Sequence, residues 1–144
     1  MLRIVLLLVA LCLLGTGCTV NEVIVADETE LDVAAAPVDE ARLLDIGIIE
    51  FSPGLEDDNN SRKTGVYDEI RLAETKYLAY HLKTTLQGTG YWGAVRVIPS
   101  REAFTDIIIS GEIEKSDGEF VEIHMSVDDA AGRHWFSKTY ETQT

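Results

Sequence analysis

The feature that most constrains the fold is the run Leu43-Leu44-Asp45-Ile46-Gly47-Ile48-Ile49-Glu50-Phe51. It is almost continuously apolar, rich in β-branched residues, and stopped by Ser52-Pro53-Gly54. A strand wetted on one side alternates apolar and polar residues. A run without alternation is covered on both faces and lies inside its sheet. Asp106-Ile107-Ile108-Ile109-Ser110-Gly111-Glu112-Ile113 is a second run of this kind, so two inner strands are predicted and the remaining chain must supply edges and cover.

Cover comes from Val66 to Gln87. Ile70, Ala73, Tyr77, Leu78, His81, Leu82 and Leu86 recur at three- and four-residue steps, the spacing of one helix face turned to a core. Glu69, Arg71, Glu74, Lys76 and Lys83 then belong to the wet face. Gly88-Thr89-Gly90 ends the helix, because glycine accepts the left-handed conformation of a helix stop. Ala94-Val95-Arg96-Val97-Ile98 is a short strand closed by Pro99. Strand, helix and strand predict a right-handed crossover between parallel strands. Farther on, Val121, Ile123, Met125 and Val127 alternate with Glu122, His124 and Ser126, so this strand has one wet side. Asp128-Asp129-Ala130-Ala131-Gly132 is a turn, and Arg133 to Tyr140 returns as the second arm of a hairpin.

The expected fold class is α/β in its α+β form: a mixed sheet in the order β-α-β-β-β-β, with one long helix packed on one face. The other face lacks an obvious cover. A partner, or chain continuing beyond Thr144, is expected to meet it. No internal repeat is present.

The start of the chain is of a different kind. Arg3 is followed by eleven apolar residues, Ile4 to Leu14, then Leu14-Gly15-Thr16-Gly17-Cys18. A basic start, an apolar run too short for the ~20 residues of a membrane span, and small residues before a cleavage point make a secretory signal. With its cysteine directly after the small residues, the segment resembles a bacterial lipoprotein signal. The resemblance implies cleavage between Gly17 and Cys18, acylation of Cys18, and, with Thr19 rather than aspartate next, sorting to the outer membrane with the body facing the periplasm. Gly15 stands where such signals most often carry leucine. The organisation expected is therefore a signal over 1–17, a lipidated acidic tether over 18–41, and a small α/β domain over 42–144. The tether reading rests on seven acids and no base between Glu22 and Glu40, since like charges repel and extend a chain. Val23-Ile24-Val25 can also pair as a strand, which leaves the boundary soft.

Charge and cysteine content narrow the function. Twelve basic against twenty-five acidic side chains, a net −13, disfavour nucleic acid, whose phosphates need basic groups to displace counterions. On the resemblance to a lipoprotein signal, Cys12 would leave with the signal and Cys18 would be lipidated, so no thiol would remain for a disulfide, a metal or a nucleophile.

Glu56-Asp57-Asp58 lacks the alternating oxygens and glycine of a calcium loop, and Asp128-Asp129 belongs to a turn. The histidines, His81, His124 and His134, are scattered; the last two lie on opposite arms of one hairpin and need further ligands to hold zinc. No Gly-x-Ser-x-Gly elbow is present. No metal, no cofactor and no catalytic residue is expected. The most distinctive stretch is Gly90-Tyr91-Trp92-Gly93-Ala94-Val95-Arg96-Val97-Ile98-Pro99, with two aromatics between glycines in a helix-to-strand turn. Tyr91, Trp92 and Trp135 are read either as core caps or as exposed interface anchors.

Taken with the lipoprotein signal, the Ile46-Gly47-Ile48-Ile49-Glu50-Phe51 strand, the long helix, the run at 106–113 and the Gly132-Arg133-His134-Trp135 hairpin resemble a known class. It comprises the amino-terminal domain of TolB and the α/β domains of curli-export and exopolysaccharide-export outer-membrane lipoproteins. The stretch at 90–99 is similar to one in longer uncharacterised proteobacterial lipoproteins. The resemblance covers roughly residues 43 to 140 and implies a non-enzymatic interaction or assembly module. It would contact envelope proteins or copies of itself and be held to the membrane by its lipid. A periplasmic ligand-binding domain and a carboxylate-dependent cell-wall hydrolase are the alternatives.

Overall fold

The computed structural model describes residues 23–25, 30–55, 67–101 and 104–143. The signal over 1–17, Cys18 and Glu56-Asp57-Asp58 lie outside them. Among the described residues, strands β1 (Val23–Val25), β2 (Ile46–Ile49), β3 (Val95–Ile98), β4 (Ile107–Ser116), β5 (Phe120–Asp129) and β6 (His134–Gln143) form one sheet, with one long helix, α1 (Asp68–Thr89). The strand order is β1-β6-β5-β4-β2-β3. β2 pairs in parallel with both β3 and β4, whereas β4, β5 and β6 form an antiparallel meander. The expected mixed sheet with one helix on one face is present, and β2 is an inner strand as its unbroken apolar run requires. Part of the stretch read as tether belongs to the folded body. Val23–Val25 adds to β6 as a parallel edge strand, and Ala34 donates its N–H to the Thr89 carbonyl at the end of α1, at 2.8 Å.

Two crossovers, on opposite faces, set the layers. The first runs from β2 through α1 to β3. Beneath α1 lie Ile46, Ile48, Val95, Ile107, Ile109 and Val127, joined by Phe51, Ala79 and the partly buried Leu78, Leu82 and Leu86. The second runs from β3 to β4, with no helix among its described residues. Its described residues lie across the other face, where Thr105 and Ile98 crowd Gly47 so closely that a β-carbon there would meet both. Ile98, Thr105 and Ile108 are buried at this crossing, which covers part of the face for which the sequence offers no cover.

The helix is rotated from its expected setting. Leu78, Leu82 and Leu86 face the core as predicted, but Ile70, Tyr77 and His81 face solvent and Arg71 is only 4% exposed. The reason is a bulge in β4 between Ile113 and Lys115, which interrupts the ladder with β5. Arg71 answers it: its guanidinium donates to the carbonyls of Pro53 (3.3 Å), Ile113 (3.1 Å) and Ser116 (3.0 Å), and pairs with Glu74 at 3.3 Å. A buried guanidinium must have such partners, and satisfying them turns Arg71, Thr75 and Ala79 inward. Gly54 passes over the same bulge with φ +58°, where a β-carbon would run into the Ile113 carbonyl. At the other end of α1, Gly90 takes the left-handed stop, φ 71°.

Asp45, just before β2, ties the starts of three parallel strands together. Its carboxylate accepts from the N–H of Ala94 at 2.7 Å, and its own N–H donates to Asp106 Oδ2 at 2.8 Å. Its carbonyl accepts from Asp106 and Ile107.

Candidate functional site

The aromatic residues singled out by sequence gather at one end of the sheet, where β2, β3, β4 and β6 begin. They do not form one patch. Trp92 packs against the core, as the capping alternative has it. Tyr91 is exposed and donates its hydroxyl to Asp32 at 3.2 Å. Trp135 is the extra residue of a bulge in β6 and aims its indole N–H at Asp129 at 3.4 Å. β6 and β3 are four strand spacings apart, ~19 Å, so Tyr91 and Trp135 belong to separate parts of this end. Phe104, on the crossover loop at the same end, is fully exposed. It borders a cleft of about 500 Å³ lined by Asp45, Arg101, Thr105, Asp106, Ile108 and Ala130.

Beside that cleft the uncovered face carries a polar network. Arg101 donates to Asp128 Oδ2 at 2.7 Å and to Ser110 Oγ at 3.1 Å. Asp128 Oδ1 lies 2.9 Å from His134 Nδ1, and His134 Nε2 lies 3.2 Å from Ser137 Oγ, which also bonds Ser126 at 3.1 Å. The hydrogen bonds of Arg101 and then of His134 hold the Asp128 carboxyl below its ordinary range. An Asp–His–Ser chain at these distances has the connectivity of a nucleophilic relay. Two features weigh against that use. Arg101 already neutralises Asp128, and Ser137 sits within β6, away from any loop or helix start that would offer paired N–H donors to an oxyanion. Sequence reasoning missed this network because its members belong to no motif; the signal available was the hairpin register, which sets Asp128 opposite His134 and Ser126 opposite Ser137. His124 is four residues along β5 from Asp128, ~13 Å away, and bonds Thr139 instead. Among the described residues no three acidic, histidine or cysteine side chains come together as a metal set.

The third feature lies on the outside of α1. Ile70, Tyr77 and Tyr80 are 57%, 64% and 61% exposed. With Ala73 and Thr84 they form a stripe without a charge, on the side of the helix opposite Arg71, Thr75 and Leu82. Lys76 and Lys83 flank it on one side and Glu74 on the other. Tyr77 stacks on His81 with ring centroids 5.7 Å apart, and Lys83 lies 5.3 Å from the centre of the Tyr80 ring. The helix thus has two apolar stripes, and the sequence signal for the second was their coexistence: residues 70, 73, 77, 80 and 84 repeat as regularly as 71, 75, 78, 82 and 86. Among the described residues no helix is long and apolar enough to cross a membrane. No protein-family model, no curated protein and no solved structure matches the chain.

Proposed function

We propose that the chain is a bacterial envelope lipoprotein, anchored by acyl chains on Cys18 to the outer membrane and facing the periplasm, that works as a non-enzymatic interaction and assembly module. The observation that carries the interaction half is the outer stripe of α1. Soluble domains scatter their exposed apolar residues, and a continuous uncharged stripe on a helix already packed by its opposite side marks a surface built to be covered. The anchor half rests on the residues from Arg3 to Cys18 and their resemblance to lipoprotein signals. The residue patterns that resemble the TolB amino-terminal and curli-export lipoprotein class support the same kind of role. Cys18→Ala should move the protein from the membrane to the soluble fraction and change its mass by the lost acyl groups. Unchanged partition and mass would remove the anchor from the reading. Crosslinking in the native envelope, read by mass spectrometry, should recover an envelope protein or a self-ladder.

A second reading, acyl transfer, is favoured by one observation, the 2.9 and 3.2 Å links of Asp128, His134 and Ser137. It predicts that a fluorophosphonate probe labels Ser137, and that His134→Gln abolishes the label. The interaction reading predicts no label.

A further inference from the structure

We infer that the outer stripe of α1 is the seat of a two-fold dimer, in which the helices of two copies of this chain pack antiparallel. The inference deepens the assembly reading above and rests on it, naming its partner as a second copy.

The argument begins with charge order. Glu69, Lys76 and Lys83 recur at seven-residue steps, two turns of helix apart, so they run down one flank of the stripe. In an antiparallel pair related by a two-fold axis, each flank meets the same flank of the other copy. An axis near Lys76 and Tyr77 brings Glu69, in the first turn, beside Lys83 of the second copy, and does so twice. Lys76 falls close to the axis, where its stem lies along the apolar stripe while the ammonium reaches water. The helix dipoles then oppose one another, which removes a penalty that parallel packing would carry. A pattern acidic at one end and basic at the other, along an otherwise uncharged stripe, is complementary to itself when reversed. Such a patch closes on a second copy and stops there.

Area sets the strength. Ile70, Tyr77 and Tyr80 each expose on the order of 100 Å². With Ala73, Thr84 and the neighbouring stems the stripe offers roughly 500 Å² per copy, below the ~800 Å² of a standard interface. The dimer expected is therefore a weak one in free solution, strengthened where anchoring confines copies to one surface.

The test uses the full chain in density-matched detergent, followed by sedimentation velocity over a concentration series, with circular dichroism to verify the fold of each variant. The wild type should pass from monomer to dimer. Glu69→Lys and Lys83→Glu should each weaken the dimer by roughly threefold to tenfold, and the double reversal should restore it. Tyr77→Asp should leave a folded monomer. A wild type that stays monomeric throughout the series, or a double reversal no better than either single change, overturns the dimer. Envelope crosslinking separates this failure from that of the assembly reading. If the wild type is monomeric yet captures a different envelope protein that Tyr77→Asp loses, assembly survives and the second copy does not. If it is monomeric and captures nothing, both fall.

Discussion

The two sides of this sheet solve the same problem differently. On the helix side, apolar side chains are buried in depth, and the layer that buries them is itself apolar on its outside. On the other side, a short crossover covers Ile98 and Ile108, and the remaining surface is polar and bonded to itself through Arg101, Asp128, His134, Ser137 and Ser126. Polar groups bonded to one another gain little from a partner, since association would exchange hydrogen bonds nearly one for one; Thr105 Oγ1, buried at the crossover with no partner among the described residues, is the exception. An uncharged helix stripe has no such internal satisfaction. The contrast teaches that the two layers end differently: the uncovered face in polar groups bonded to one another, the covered one in an exposed apolar stripe.

The sharpest way to break the contrast is at Arg71. Arg71→Met removes the guanidinium from three carbonyls and leaves Glu74 only the Ser116 hydroxyl, and should cost about 3 kcal/mol in denaturant unfolding. A loss below ~1 kcal/mol would mean that packing alone sets the rotation of α1. Gly54→Ala tests the same junction from the strand side. A β-carbon there would press into the Ile113 carbonyl at a left-handed φ, and about 2 kcal/mol should be lost. On the polar face effects shrink: Ser137→Ala should cost less than ~1 kcal/mol, because exposed hydroxyls regain water. Tyr80→Ser, on the outer stripe, should change monomer stability by no more than about 0.5 kcal/mol; a larger loss would mean that the stripe serves the fold and not a partner.

The smallest effect is a dependence on acid. Backbone N–H groups of Phe120 and Glu119, with Lys115 beside them, lower the Asp117 carboxyl to about 2 from its ordinary 3.8. A carboxyl lowered by folding stabilises the fold above its unfolded value and ceases to do so as pH falls through the folded one. The β4–β5 turn should therefore loosen between pH ~4 and ~2. Asp117→Asn should flatten that part of a pH series of thermal melts, and an unaltered slope would assign the acid response to Asp128 and Asp129, which are also lowered.

Much of this architecture is legible in the residues. The unbroken run at 43–51 announces an inner strand because no alternation survives double cover, and the alternation at 121–127 announces a strand with one wet side. The meander follows from the turn residues between the last three strands. What could not be read was rotation. Ile70 and Tyr77 carry far more apolar surface than Arg71 and Thr75, yet Arg71, Thr75 and Ala79 face inward, because small side chains at 75 and 79 allow close approach to the sheet and the bulge at Ile113 and Lys115 demands a donor. The bulge depends on pairing between distant strands, which no local pattern encodes. The polar network was hidden for the same reason: Arg101, Asp128 and Ser137 meet only once the crossover and the hairpin register are in place. Tyr91, Trp92 and Trp135 were visible as distinctive residues, but only the fold separates the partly buried indole of Trp92, packed against the core, from the exposed rings.

The edge strand β1 has a consequence for how far the protein can act. Val23 follows Cys18 by five positions, at most ~18 Å of fully extended chain. Were Cys18 acylated as proposed, the sheet would ride within that leash of the lipid headgroups, would slide in two dimensions, and would meet chiefly what shares its leaflet.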